Sequence, residues 1–115
     1  MTTIAFDERS PTAGLLCPEC KNPYLHHEAI SVYEREREDA PSRVLTLGCS
    51  LRNPSRILET DERRAGPNPS MRRNGIAIRF WCENCHSISE LTLAQHKGTS
   101  ELGWRPVGRI LERWG

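Results

Sequence analysis

Apolar residues are scarce in this sequence, and aromatic residues are scarcer still. Apolar residues make up 37% of the 115-residue chain and aromatic residues 6%, whereas globular chains usually reach roughly 45–50% apolar content when glycine is counted. A chain of this length is about the size of one domain, and a small domain buries a smaller share of its surface than a large one. We therefore expect a single domain with a thin core, stabilised further by disulfides, a metal or association with another chain.

Long hydrophobic runs are also absent. No window approaches the roughly 20 apolar residues that span a membrane, so the sequence predicts no transmembrane helix and no membrane partner. The first residues include Asp7, Glu8 and Arg9 and lack the apolar core of a secretory signal. We therefore expect a cytoplasmic protein. Thiols stay reduced in that compartment, so paired cysteines indicate metal or redox chemistry rather than disulfides.

The chain has almost no net charge. Its formal charge is +1, which gives the whole protein no strong field toward nucleic acid or an anionic membrane. Residues 49–75 are the exception, because six arginines and three acids give this stretch a charge of +3. The basic excess is therefore local and modest.

Motifs for catalysis are missing as well: the sequence contains no paired-carboxylate, Ser-His-Asp or glycine-rich phosphate motif. Cys49 has no neighbouring base that would activate it as a nucleophile, and we interpret it as a loop or half-buried thiol. We interpret His26, His27, His86 and His96 as ordinary hydrogen-bonded histidines, with His86 also a candidate donor to a cysteine sulfur. These absences favour a binding module over an enzyme, with no catalytic residues and no small-molecule substrate.

What the chain does contain is two Cys-x-x-Cys turns. Each turn aims two sulfurs at one ion, and two turns complete a tetrahedron with Zn–S distances near 2.3 Å, about the usual value. Haem attachment at residues 82–86 would leave the first pair unexplained, and a thioredoxin-like pair belongs to a βαβ pattern that is absent here. Four thiolates leave no open position for a substrate, so the metal is structural. We predict one Zn²⁺ held by Cys17, Cys20, Cys82 and Cys85.

Alternating apolar and polar residues predict two antiparallel hairpins. Residues 29–33 and 43–47 form the arms of the first, which are separated by Ala40-Pro41-Ser42. Residues 76–81 and 88–93 form the arms of the second, with the second cysteine pair at its tip. The predicted fold class is therefore mainly β, or a small α+β fold if a terminal helix is present.

The pattern changes outside these hairpins. Residues 48–75 hold prolines and charges without a period, which predicts a long irregular loop, disordered by its composition. Residues 105–115 carry apolar side chains at helical spacing after Pro106, which predicts a short terminal helix. The predicted organisation is a flexible lead-in at 1–14, a domain at 15–104 with an irregular insertion at about 48–75, and a C-terminal segment at 105–115.

Four stretches of the chain resemble a known family. They are Leu16-Cys17-Pro18-Glu19-Cys20, Tyr24-Leu25-His26-His27, Ile78-Arg79-Phe80-Trp81-Cys82-Glu83-Asn84-Cys85 and Ala94-Gln95-His96-Lys97-Gly98. Together they are similar to small uncharacterised zinc-ribbon proteins encoded by phages and prophages of actinobacteria. The resemblance covers about residues 15–104. It implies a zinc ribbon with two knuckles and a phage-encoded protein that works in the host cell cytoplasm, but it supplies no activity.

The sequence departs from many zinc knuckles at one point in each turn. Glycine often follows the second cysteine of a knuckle, because it adopts a positive φ without steric cost. Lys21 and His86 stand at these positions instead. The departure concerns the geometry of the turns rather than the presence of the metal.

Two hypotheses for function follow. The first is a non-enzymatic zinc-ribbon adaptor that binds a protein partner through its terminal segment and knuckle hairpin, because tryptophan and arginine are common interface hot spots. The second is nucleic-acid binding by the central loop, whose arginines would contact phosphates. The low net charge favours the first. The candidate protein-binding residues are Trp81, Trp104, Arg105 and Trp114, with closure of the core as the competing interpretation. The nucleic-acid candidates are Arg52, Arg56, Arg63, Arg64, Arg72 and Arg73.

Overall fold

The computed structural model describes residues 4–8, 13–50 and 55–109 of the chain. Over these ranges the protein is mainly β, as predicted. No helix in them is long and apolar enough to cross a membrane. The elements are β1 (Phe6–Asp7), β2 (Gly14–Leu15), β3 (Leu25–Arg35), β4 (Ser42–Gly48), β5 (Ile57–Asp61), α1 (Glu62–Ala65), β6 (Gly75–Cys82), β7 (Ser87–His96) and β8 (Thr99–Arg109).

Strands β3 to β8 form one antiparallel sheet in the order β5-β4-β3-β6-β7-β8, and β1 pairs with β2 outside it. Both predicted hairpins are confirmed, as β3–β4 and β6–β7. The two hairpins join along β3 and β6, where Leu25 lies opposite Cys82 and Tyr33 lies opposite Gly75. This central pairing brings the start of β3 and the end of β6 to the same end of the sheet.

The segment predicted to be a long irregular loop contains two elements, and the prediction for this segment is wrong over residues 57–65. Strand β5 extends the sheet by pairing with β4, and α1 follows it directly. The Asp61 side chain caps α1 by accepting hydrogen bonds from the backbone N–H groups of Arg63 and Arg64. The hydrogen bonds that order β5 come from β4, so the local composition gave no sign of them.

The C-terminal prediction also differs from the structure. Residues 105–109 belong to β8, which pairs with β7 along most of its length, so they are not helical. Pairing with an adjacent strand has overridden the weak helical spacing, which Gly108 already disfavoured. Residues 110–115, including Trp114, lie outside the described residues. At the other end, the predicted lead-in contains β1, whose pairing with β2 includes Phe6 opposite Leu15.

A strap, residues 62–74, crosses one face of the sheet, which we call the covered face. Tyr33, Val44 and Ala77 form a small buried cluster on this face, and Ala65 of the strap packs against it. The Tyr33 hydroxyl donates to the Ala65 carbonyl at 3.0 Å and accepts from Arg105 at 2.8 Å. The strap is therefore fastened to the sheet by hydrogen bonds as well as by packing.

Buried polar groups hold the rest of the strap in place. Asn68 donates to the Ser42 hydroxyl and to the Arg73 carbonyl, both at 2.9 Å, and accepts from the Ser70 backbone N–H at 2.8 Å. The Arg35 guanidinium donates to four carbonyls, those of Ala40, Ser70, Met71 and Arg73. These bonds satisfy the backbone of a segment that has little regular structure.

The other face of the sheet, the open face, is apolar. Side chains alternate along a strand and directly paired residues share a face, so the register identifies its members. One row crosses all six strands through Ile57, Leu47, Ile30, Ile78, Leu91 and Trp104. The adjacent row runs through Glu59, Leu45, Val32, Ile76, Leu93 and Leu102. None of the apolar side chains in these two rows is buried.

Candidate metal centre

The four paired cysteines meet at one end of the sheet. Cys17 and Cys20 lie in the turn between β2 and β3, and Cys82 and Cys85 lie at the tip of the β6–β7 hairpin. Because β3 and β6 are antiparallel neighbours, the two turns come together although they are far apart in sequence. The four sulfur atoms lie within 4.8 Å of one another.

The distances between the sulfurs fit a tetrahedral metal ion. The Cys17 and Cys85 sulfurs are 3.7 Å apart, and the Cys20 and Cys82 sulfurs are 3.6 Å apart. A tetrahedron with metal–sulfur distances of about 2.3 Å has edges of about 3.8 Å. The donor set is made entirely of thiols, which suits a soft or borderline cation. The cluster can therefore hold one metal ion, with the four cysteine sulfurs as its protein ligands.

Each knuckle closes with the same backbone geometry. The N–H of Lys21 donates to the Cys17 carbonyl at 3.0 Å, and the N–H of His86 donates to the Cys82 carbonyl at 2.8 Å. Both donors have a positive φ, 64° for Lys21 and 63° for His86. The two positions where glycine is common in knuckles thus keep the left-handed conformation with larger residues, at about 1–2 kcal/mol each.

Three side chains beyond the cysteines contact the sulfurs, among the contacts found for the described residues. The buried Ser87 hydroxyl lies 3.1 Å from the Cys85 sulfur and 3.5 Å from the Cys17 sulfur, so it links the two knuckles. The Asn22 amide donates to the Cys20 sulfur at 3.4 Å, and the Asn84 side chain bonds to the same sulfur. The sequence predicted His86 as the donor and gave no sign of these three residues.

The metal-free thiols differ in acidity because of their surroundings. Burial raises the pKa of Cys82 to about 12. Burial acts in the same direction on Cys20, but hydrogen bonds from Asn22 and Asn84 outweigh it and lower the pKa of Cys20 to about 6. The Cys20 thiol therefore ionises more readily than the Cys82 thiol beside it. A divalent cation held by the four sulfurs would stabilise all four thiolates together.

A groove opens next to the metal centre. It has a volume of about 790 Å³, and its lining includes Leu25, His26, His27, Cys49 and Trp81 together with Ser50 and Ser55. The His26 and Trp81 rings stack in it, with centroids 4.6 Å apart and planes inclined by 15°. Trp81 directly precedes the ligand Cys82, so the position of this stack is linked to the knuckle.

Cys49 and the histidines next to it show no arrangement for nucleophilic catalysis. Burial, followed by the charge of Glu28, raises the pKa of Cys49, which keeps it a neutral thiol. His27 Nδ1 lies 3.0 Å from the carbonyl oxygen of Cys49, so its hydrogen bond goes to the backbone and not to the sulfur. His26 lies 3.1 Å from the carboxylate of Glu83 on the second knuckle.

The predicted protein-binding residues do not form one patch. Trp81 lies in the groove beside the metal centre, and Trp104 lies on the open face in edge-to-face contact with Phe80 at 5.9 Å. Arg105 is on the covered face, where it bonds to Glu90 at 2.8 Å and to the Tyr33 hydroxyl. Trp114 lies outside the described residues. Arg105 is thus a structural residue in this fold.

Two of the arginines proposed for nucleic acid are paired with acids. Arg72 lies 3.2 Å from Glu38 and 3.3 Å from Asp39, and Arg73 lies 3.0 Å from Glu38. Arg63 and Arg64 belong to α1, and Arg56 precedes β5. Arg52 is outside the described residues. Acids therefore already neutralise part of the positive charge that the described arginines would offer to phosphates.

Comparison of the chain with protein-family models, with curated proteins and with solved structures gives no match. Its class therefore rests on the fold and the site alone. The protein is a mainly β, antiparallel sheet protein with a cluster of four cysteines able to hold a metal ion.

Proposed function

We propose that the protein is a zinc-stabilised, non-enzymatic adaptor that binds a protein partner in the groove beside its metal centre. The observation that carries the proposal is the position of the Trp81–His26 stack, which lines an open groove directly beside the four-cysteine cluster. The phage origin implied by the sequence resemblance belongs to the same proposal.

Zinc is the cation that best fits this ligand set. Four cysteines at Cys-x-x-Cys spacing are typical of structural Zn²⁺ sites, in which thiolates fill all four positions. A filled tetrahedron leaves no position for water or substrate, which supports a structural role. In such sites the free energy of metal binding contributes to folding. The metal thus holds the knuckles together and keeps the groove in shape.

The chemistry of the groove favours a protein over a nucleic acid. Its described lining contains an indole, two imidazoles, an aliphatic side chain and small polar groups, and neither lysine nor arginine. Phosphate contacts need cations, which this lining does not provide. A tryptophan in a concave site is instead a common hot spot for an apolar side chain of a partner protein. We therefore infer that a segment of the partner inserts an apolar side chain against Trp81.

Nucleic-acid binding is the second candidate, supported by the +3 charge of residues 49–75. It ranks lower because Glu38 and Asp39 already pair with Arg72 and Arg73.

The metal part of the proposal is tested by elemental analysis of the purified protein. We expect one zinc ion per chain, and we expect chelation to cause loss of the native near-ultraviolet circular dichroism. Metal-free protein with an unchanged spectrum and melting temperature would contradict the structural role of zinc.

The binding part is tested by capture from a nuclease-treated host lysate with the wild type, Trp81→Ala and Met71→Ala. Met71 is 84% exposed on the strap, away from the groove, and serves as the control. We expect a protein retained by the wild type and by Met71→Ala to be lost with Trp81→Ala. The same protein, once purified, should bind Trp81→Ala at least about tenfold more weakly, as expected for a hot spot. Equal binding by all three would reject the groove.

A further inference from the structure

We propose that the open face is a homodimer interface, in which two copies of this chain pack their sheets against each other. The two faces of the sheet are covered unevenly, and the inference rests on this difference and not on the groove beside the metal centre.

The strap covers the less apolar face. Beneath it lie a small cluster of Tyr33, Val44 and Ala77 and the buried ionic group around Glu90. The open face holds eleven apolar side chains in its two rows, and none of them is buried in the single chain. At the centre of this face Val32 and Ile76 remain 38% and 37% exposed. The larger apolar surface of the sheet thus faces water in a monomer, and burying it is favourable by about 25 cal/mol per Å².

The size of the face is in the range that a dimer needs. Six strands about 4.8 Å apart and two side-chain rows about 6.8 Å apart span roughly 29 by 14 Å, or roughly 400 Å² in projection. The accessible area of side chains standing on such a face exceeds its projection, which brings it toward the roughly 600 Å² that each partner buries at the lower end of specific interfaces. An apolar patch of this size is comparable to the largest patches on typical monomers, which are often functional.

The distribution of charge favours a second copy as the partner. The centre of the face carries no charged side chain, and homodimer interfaces are more apolar than other protein interfaces. Charges lie at its rim: Glu59 on the edge strand β5, and the ion pair between Glu34 and Arg43 at 2.6 Å just beyond the second row. Because a twofold dimer uses the same patch on both chains, two neutral centres meet and no like charges are forced together there. A charged partner would bury ions without counterions.

The resulting dimer is a β-sandwich. Two twisted sheets pack face to face about 10 Å apart with their strands inclined by about 30°. The strap of each chain lies on the outside, since it covers the other face of its sheet. The interface therefore supplies the second apolar layer that this thin domain lacks on its own.

Sedimentation equilibrium of the full zinc-loaded chain across micromolar concentrations tests the proposal. We expect a mass of twice the 13.1 kDa of the chain. Ile76→Lys places a cation at the centre of the face, and each dimer would bury it twice, so we expect dimerisation to weaken by at least about a hundredfold. Met71→Lys adds the same cation on the strap, and we expect this control to remain dimeric.

Zinc content and circular dichroism establish that each variant is folded. If Ile76→Lys does not fold, Val32→Lys on the adjacent strand replaces it, and the mass of the wild type decides the question on its own. A wild type that stays monomeric at every concentration overturns the proposal, and so does a folded Ile76→Lys variant that dimerises as well as the wild type. A monomeric wild type is also the result expected if a different protein covers this face.

Discussion

Cys17, Cys20, Cys82 and Cys85 present their sulfurs within 4.8 Å of one another, whereas Cys49 lies in the lining of the neighbouring groove. Each ligand adds to a site whose binding energy is also folding energy. We expect Cys17→Ser and Cys85→Ser to lower the free energy of unfolding by at least about 3 kcal/mol, because loss of a structural metal is among the most damaging single changes. Chemical denaturation together with zinc analysis measures the effect.

Cys49→Ser is the matched control for these ligand variants. Its hydrogen-bonded group is the backbone carbonyl, which the substitution retains. We expect its unfolding free energy to change by no more than about 1 kcal/mol and its zinc content to be unchanged. Loss of zinc in Cys49→Ser as severe as in Cys17→Ser would mean that the ligand set has been assigned incorrectly.

Arg105 leads to a second prediction for a single residue. It is more buried than other arginines whose ion pairs have equally good geometry. Its side chain is 22% exposed and bonds to Glu90, which is 6% exposed, at 2.8 Å. Without Arg105, the buried Glu90 keeps Arg79, at 2.9 Å and 39% exposed, as a counterion but loses its more buried one. The Tyr33 hydroxyl also loses its donor. We expect Arg105→Ala to destabilise the fold by about 2–4 kcal/mol in urea denaturation, with Arg105→Lys intermediate.

The control for Arg105 is Arg43, which pairs with Glu34 at 2.6 Å but is half exposed. Solvent screens such an exposed pair strongly, so Arg43→Ala should have little effect on stability. If Arg105 were an interface hot spot, as the sequence suggested, Arg105→Ala would leave the unfolding free energy near that of the wild type. That result would make Arg105 a candidate contact with a protein partner again.

The sequence predicted the individual residues of the metal cluster because chemistry restricts the spacing of ligands. The Cys-x-x-Cys spacing encodes the turn geometry by itself, so all four ligands could be named without knowing the fold. Ser87 and Arg105 could not be assigned in the same way. Their roles depend on what the β6–β7 hairpin and the strap bring next to them, and a serine or arginine in a strand has no characteristic spacing that would show this.

At the scale of elements, the strap is the part of the fold that depends most on polar contacts. The buried Asn68 side chain makes three hydrogen bonds, one of which joins the strap to Ser42 on β4. Its removal leaves buried groups unsatisfied at about 1–3 kcal/mol each. We expect Asn68→Ala to lose about 2 kcal/mol or more of stability and to speed trypsin cleavage after Arg63 and Arg64. Timed digestion followed by mass spectrometry measures the cleavage.

Met71→Ala is the control for the strap, since Met71 is an exposed side chain of the same segment. Its cleavage rate and stability should match those of the wild type. If residues 48–75 were the disordered loop that their composition predicts, trypsin would cut the wild type readily at Arg63 or Arg64. Wild-type cleavage there as fast as in Asn68→Ala would show that the strap opens freely and that its hydrogen bonds do not hold it.

The elements that were predicted correctly are those whose pattern is local. Strands β3, β4, β6 and β7 alternate apolar and polar residues, and each hairpin joins neighbours in sequence. The outer strand β5 depends on its pairing with β4, which overrode the proline content of its segment. The outer strand β8 depends on its pairing with β7, which overrode the helical spacing of its apolar residues. Gly75 shows the same limit: the predicted irregular loop extends to it, but it lies within β6, where an added Cβ would clash with Asn68 and Pro69 of the strap.

At the scale of the whole molecule, the metal centre and the open face use different parts of the sheet. The metal joins the ends of β3 and β6, while the open face crosses all six strands away from the strap. A dimer through the open face would therefore leave the Trp81 groove and the knuckles of each chain outside the two apolar rows. In the two proposals taken together, zinc would fix one end of the sheet and a second copy would cover its apolar side.

Charge is the property of the whole molecule that separates the two candidate functions. Each phosphate neutralised by the protein releases condensed counterions, so affinity for nucleic acid falls steeply with salt in proportion to the number of contacts. With Arg72 and Arg73 paired to acids, we expect binding to DNA or RNA no tighter than roughly 1 µM at physiological salt, the range of weak non-specific association. Replacing Arg63, Arg64, Arg72 and Arg73 with alanine should then leave capture of the protein partner unchanged.

Glu38→Gln provides the complementary variant, because Glu38 pairs with both Arg72 and Arg73. Asp39 still pairs with Arg72 at 3.3 Å in this variant, so the change frees Arg73. The salt dependence of the weak nucleic-acid binding should therefore increase by about one phosphate contact, while the binding of the protein partner stays the same. Fluorescence anisotropy with a labelled oligonucleotide, titrated at several salt concentrations, measures both slopes. Nanomolar and strongly salt-dependent binding by the wild type, abolished by the four alanine changes, would reverse the order of the two functions and make nucleic acid the ligand.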